Sequence, residues 1–200
     1  SDFKTSRFLV KTDSGKTILQ RQIETLLLYN YDPNNIHLVI GTEGPWMDIN
    51  EISFLKNFNI NIISNSNNKS TNSVDSFILA FNEFSNNNKN NSEIIIVYSD
   101  ILFDTSHLDS LYFHKNTMLV KSSLSISEGG IKLDTNDKFV KKFDNQKTVF
   151  PWKIFAGIIK ISQENKIKNI LSDNINSNLV NSIIDNINKI EWVDVNRYVS

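Results

Sequence analysis

Two hundred residues with 40% hydrophobic content suffice for one compact domain with a full core, and 21 basic against 22 acidic residues exclude a broad basic surface for nucleic acid or an anionic membrane. The absence of cysteine rules out disulfide frameworks, thiolate metal sites and cysteine nucleophiles, and three scattered histidines argue against a histidine-built zinc site, which leaves carboxylate and hard-cation chemistry. No apolar run approaches the roughly 20 residues of a membrane span and the opening Ser-Asp-Phe-Lys has no signal-peptide pattern, so a soluble, cytoplasmic, single-domain protein over 1–200 is expected.

Along the chain, residues 15–29 carry Ile18, Ile23, Leu26 and Leu27 near helical spacing and predict an amphipathic helix. The turn signal Asp32-Pro33-Asn34 leads into a buried strand over 36–41. A weak helix over 48–57 precedes a short strand over 60–63 and an Asn/Ser-rich loop over 64–71. Asn72 or Ser73 caps a helix running to Phe84, and a polar loop follows over 85–91. The run Glu93-Ile94-Ile95-Ile96-Val97-Tyr98 is the strongest strand, near-continuously apolar as in a largely parallel sheet covered on both faces. It ends in Ser99-Asp100. Alternating helices and strands to this point predict a Rossmann-like α/β fold with a mixed, mostly parallel sheet flanked by helices.

After residue 115 the texture changes to short strands over 117–123, 131–134, 138–143 and 154–161, which predict an antiparallel extension. Gly129-Gly130 reads as a hairpin turn, not a phosphate loop. Helices over 162–171 and 176–187 and a terminal strand over 190–195 complete the reading. Asparagine, roughly one residue in seven, is spread through helices and loops alike and is a coding bias, not a prion-like segment.

Ligands of open α/β sheets bind beyond the carboxyl ends of strands, which makes Asp100 a candidate Mg²⁺ ligand. Spacing alone leaves it balanced against a strand-terminal turn residue. Asp194, in Glu191-Trp192-Val193-Asp194-Val195, shares a strand face with Trp192; it is either metal-bound or the wet face of an exposed edge strand. Pro151-Trp152-Lys153 offers Trp152 as a pocket wall and Lys153 as a partner for an anionic acceptor, against a core-edge Trp and a solvated Lys. His37, His107 and His114 have no partners at recognisable spacing.

Five ordered stretches resemble the sugar-phosphate and choline-phosphate nucleotidyltransferases. Gly15 through Leu26 looks like the helix after the family's phosphate-binding signature, and Asn72-Ser73-Val74-Asp75-Ser76 resembles the helix start beside the nucleotide base and ribose. Val97 through Asp104 is similar to the strand ending in a metal aspartate, commonly preceded by glycine or serine, here Ser99. Phe155 through Ile161, with Gly157, resembles the strand lining the acceptor pocket, and Glu191 through Val195 the strand with the second metal aspartate.

The resemblance implies a GT-A-like nucleotidyltransferase fold. It further implies Mg²⁺ on Asp100 and Asp194, nucleotide contacts from Asn72, Ser73, Ser76 and Ser99, and acceptor contacts from Trp152, Lys153 and Gly157. The substrates would be an NTP, CTP first, and a phosphorylated or phosphonate acceptor, with neither nucleic acid nor membrane as partner and a homodimer left open. Family members open with a strand and a GxGxRL loop followed by Pro-Lys. This sequence begins after that loop, with Arg7 where the phosphate-contacting lysine is usual, so the natural protein is expected to be longer. The competing readings are a GT-A-type glycosyltransferase, against which stands the single aspartate of Tyr98-Ser99-Asp100, and a non-catalytic nucleotide-sugar binding module.

Overall fold

The structure is a computed structural model that describes residues 7–41, 52–67, 72–87, 93–123, 132–136, 138–143, 152–162, 178–187 and 189–195. These belong to two compact units, Ser1–Lys89 with Ser99–Thr105, and Asn90–Tyr98 with Ser106–Ser200. The expected turn at Gly129-Gly130, the helix over 162–171 and the beginning of the weak helix over 48–57 fall outside the described residues.

In the first unit a 3₁₀ turn, Arg7–Leu9, precedes helix α1, Ile18–Leu28. Thr17 starts α1 because its side chain accepts the backbone N–H of Gln20 at 3.1 Å. Strand β1, His37–Gly41, follows a 3₁₀ turn, Pro33–Asn35, capped by Asp32, whose carboxylate accepts the Asn34 N–H at 2.9 Å. In its described part the weak helix is a 3₁₀ turn, Ser53–Asn57, before strand β2, Asn61–Asn65. β1 and β2 pair in parallel, His37 opposite Asn61. Leu19, Ile23, Ile40 and Leu55 form the core, with Phe8, Leu27 and Phe58 packed around them. Helix α2, Ser73–Asn87, opens on a reciprocal cap: Asn72 Oδ1 accepts the Val74 N–H at 2.7 Å and Asp75 Oδ2 accepts the Asn72 N–H at 2.8 Å.

The second unit is built on strands β3 (Ile94–Val97), β4 (Thr117–Ser123), β5 (Lys132–Thr135), β6 (Phe139–Phe143), β7 (Trp152–Ile161) and β8 (Ile190–Asp194). Their order is β3-β7-β4-β8-β6-β5, and β5 also pairs with β7. The β4–β8 pair is parallel; β3–β7, β4–β7, β5–β6, β5–β7 and β6–β8 are antiparallel. The apolar run of β3 thus predicted a strand but neither its burial nor its direction: Ile94–Val97 are only partly buried, and β3, at the end of this order, pairs antiparallel with β7. Met118, Leu119 and Val120 are all fully buried, so both faces of β4 are covered.

Among the described residues, two helices accompany this sheet. Helix α3, Thr105–Tyr112, was not anticipated from the sequence; it buries Leu108 and Leu111. Helix α4, Leu179–Asn186, begins at Asn178, whose side chain accepts the Val180 N–H, and buries Leu179, Val180 and Ile183. Among the described residues, no helix is long and apolar enough to cross a membrane.

Candidate functional site

The polar cluster with the most chemistry lies on three neighbouring strands of the second unit. Asp194 ends β8, where it pairs with Val120 of β4 beyond the part of β8 that meets β6, and its burial rules out the exposed, wet-face alternative. Its carboxylate is 6% exposed. In-register pairing places Val120 of β4 beside Asp194, and Ser122, two residues on, beside Lys153 of β7. The period of two therefore sets Asp194, Ser122 and Lys153 on one face.

Lys153 Nζ lies 2.7 Å from Asp194 Oδ2 and 2.5 Å from Ser122 Oγ. The Ser122 hydroxyl donates to the same carboxylate oxygen. The ammonium also stands 4.3 Å from the ring centroid of Trp192, the residue that shares a face with Asp194. The Trp192 indole is fixed by its own N–H, which donates to the Asn136 carbonyl at 2.9 Å. The solvated alternative for Lys153 fails as well, because its side chain is only 14% exposed. Taking two charges this far from water is costly unless they meet, and here they do.

This donor set of one carboxylate and one hydroxyl is all oxygen and suits a hard cation such as Mg²⁺, which usually takes one or two protein carboxylates and completes its shell with water and phosphate. No group of three or more His, Asp or Glu side chains able to hold a metal occurs among the described residues. Among the described residues, this carboxylate meets the Lys153 ammonium.

Asp100 belongs to the first unit, in the exposed turn after β3, together with Ser99. Its segment is tied to α1: the Gln22 side chain donates to the Ile101 carbonyl at 2.7 Å, the Thr25 hydroxyl to the Phe103 carbonyl at 3.4 Å, and Phe103 is buried. Asn72, Ser73 and Ser76 lie in the first turn of α2 or immediately before it, and the Asn72 side-chain oxygen is used as the helix cap. Gly157 is buried in β7 at φ +89°, where the register with β4 shifts, and its carbonyl accepts the Tyr98 N–H at 2.9 Å. The sequence therefore needs glycine there for its backbone conformation. The backbones of Arg7 and Trp152 are placed, in the first 3₁₀ turn and opposite Ser123, whereas their side chains fall outside the described residues.

Two further charged groupings escaped the sequence reading. Glu191 accepts from Lys138 Nζ at 2.7 Å and also meets His114 Nδ1; the Lys138 hydrogen bond above all, with that from His114, holds its carboxyl below the usual carboxylate range against the opposing effect of burial. Lys160, 4% exposed, donates to the Leu111 carbonyl at 3.1 Å and pairs with Glu93 at 2.9 Å. Spacing carries no signal for either, since the partners come from strands and loops far apart in sequence.

No protein-family model matches the chain, and no curated protein matches it. Solved structures do resemble it. The inositol-1-phosphate CTP transferase of T. maritima superposes with a TM-score of 0.66 at 14% identity, over 94% of this chain and 76% of that one. The CTP:phosphocholine cytidylyltransferase of Streptococcus pneumoniae gives 0.64 at 14% identity over 94% and 80%. A UDP-glucose pyrophosphorylase of Acinetobacter baumanii gives 0.60 at 9% identity over 96% and 79%. By these superpositions, the chain has the nucleotidyltransferase fold.

Proposed function

We propose that this protein is a nucleotidyltransferase that moves a nucleoside monophosphate, CMP first, from an NTP to a phosphorylated or phosphonate acceptor. The observation that carries the reading is the buried Lys153–Asp194–Ser122 cluster beside Trp192, on a sheet of nucleotidyltransferase fold. CTP is favoured because the T. maritima and S. pneumoniae neighbours are both CTP-using transferases by name.

In the reaction, an acceptor phosphate oxygen attacks the α-phosphorus in line. The new P–O bond forms as the bond from the α-phosphorus to the bridging oxygen breaks, and pyrophosphate leaves with that oxygen. The nucleophile is already ionised at neutral pH, so no general base is needed. Catalysis then rests on alignment and on neutralising charge at the phosphate oxygens. Lys153 supplies a point charge for the acceptor's anion, and the backbone-fixed indole of Trp192 walls its side of the pocket. Asn72, Ser73, Ser76 and Ser99 are assigned to the nucleotide, Arg7 to its phosphates, and Trp152 and Gly157 to the acceptor, as the resemblance implies. Asp100 and Asp194 would hold Mg²⁺, which when bound supplies charge neutralisation at the phosphate.

Substitution of Asp100 by Asn tests this. Pyrophosphate release should fall by at least about a hundredfold while the fold is retained, because the exposed side chain lies in a turn that is also held through the backbone carbonyls of Ile101 and Phe103. An Asp100→Asn enzyme with normal turnover would refute the assignment.

A further inference from the structure

The second metal aspartate of the proposed site is already neutralised. A carboxylate 6% exposed cannot stay ionised and unpartnered at low cost, and Lys153 meets it at 2.7 Å with Ser122 bridging both. A divalent cation bound to Asp194 would sit about 2 Å from the carboxylate oxygen. That is well inside repulsive range of the ammonium where it now stands. The two cations therefore exclude each other at this oxygen. Lysine, however, has a compact charge on a flexible stem. The Trp192 face, 4.3 Å away, gives the ammonium an attractive surface that does not depend on Asp194.

We propose that the Lys153 ammonium is the resident counter-ion of Asp194, that a divalent cation binds this carboxylate by displacing it, and that the displaced ammonium then serves the acceptor's phosphate. The inference rests on the nucleotidyltransferase reading and adds an order to it: the metal arrives before the acceptor is gripped. It explains why a lysine on the acceptor strand and an aspartate on the metal strand share a hydroxyl. The buried carboxylate keeps a partner in both states, and the acceptor's anion meets a free ammonium only after the cation is in place. Coupling of this kind is reciprocal, so a bound acceptor anion also strengthens cation binding.

The test is direct titration of the full-length protein with Mn²⁺, read by electron paramagnetic resonance, without nucleotide. Lys153→Met should bind Mn²⁺ at least about tenfold more tightly than the unsubstituted protein, a coupling of ordinary size. Equal or weaker binding overturns the proposal. Adding Asp194→Asn to Lys153→Met should abolish the gain; a gain that persists puts the cation elsewhere and refutes the metal assignment itself. A second measurement needs no substitution. Acetylation of Lys153, followed by mass spectrometry, should accelerate several-fold once the same titration shows the cation bound, and an unchanged or slower rate overturns the displacement even if the variant does not fold.

Discussion

Replacing Lys153 by Met and Asp194 by Leu, singly and together, measures what the buried pair contributes to folding. Lys153→Met removes the ammonium that meets a carboxylate only 6% exposed and leaves it the Ser122 hydroxyl. Asp194→Leu leaves an ammonium on a side chain 14% exposed, with only Ser122 and the Trp192 face. Orphaning one member of a buried pair costs about 3–5 kcal/mol, and the remaining hydroxyl and ring place both variants near the lower end. The double substitution leaves no charge stranded and should cost less than either single one. The coupling energy is then at least about 3 kcal/mol. Urea unfolding at pH 7, followed by the fluorescence of Trp192 and the other tryptophans, gives all four stabilities from midpoints and slopes. Single costs below about 1 kcal/mol that simply add would mean a screened surface contact, and the reasoning from burial would be wrong.

Other outcomes follow from individual contacts. Asn72→Ala removes the acceptor for the Val74 N–H and should destabilise by about 1 kcal/mol in thermal unfolding, whereas Asn72→Asp should restore most of it. Gly157→Ala forces a side-chain residue to φ +89° and should cost about 1–2 kcal/mol in the same assay, more than Ala at an ordinary strand position. Glu191 is held below its usual range, chiefly by Lys138, so its pairing stabilises the fold above about pH 4.5 and is lost as pH falls through the lowered folded value. Glu191→Gln should therefore be less stable than the parent at pH 7 and lose less stability on acidification; parallel acid curves would contradict this. His37 has its pKa lowered by burial, and both ring nitrogens lack a hydrogen-bond partner among the described residues. Stability should decline below about pH 6.5, as the unfolded state takes up the proton first, and His37→Leu should flatten that decline in the pH dependence of the unfolding midpoint.

The strands were legible because their apolar runs and period-two patterns are local: the 117–123 expectation coincides with β4, and the 154–161 expectation lies within β7. Helix α1 was legible from its stripe of apolar residues, and α2 from the Asn72 cap. Helix α3 was not, because Thr105–Tyr112 is short and offers only Leu108 and Leu111 as buried anchors. The candidate site was half visible. Asp194 and Lys153 could each be singled out, yet nothing local links residues 41 positions apart. Their meeting is decided by the register of β4 against two different strands. The same register brought in Ser122, which carries no motif at all. His114 and Glu191, 77 positions apart, were hidden for the same reason. Gly157, assigned to the acceptor strand by resemblance, also has a backbone reason to be glycine that the sequence did not show.

The central claim is that this fold transfers nucleotides with Asp194 in the reaction centre, and pyrophosphate release is its most direct measure. The full-length protein, given Mg²⁺, each of the four NTPs in turn and a panel of phosphorylated and phosphonate acceptors, should release pyrophosphate with CTP in an acceptor-dependent manner. Asp194→Asn and Asp100→Asn should each remove that release. No release with any nucleotide and acceptor, or undiminished release from Asp194→Asn, would contradict the account.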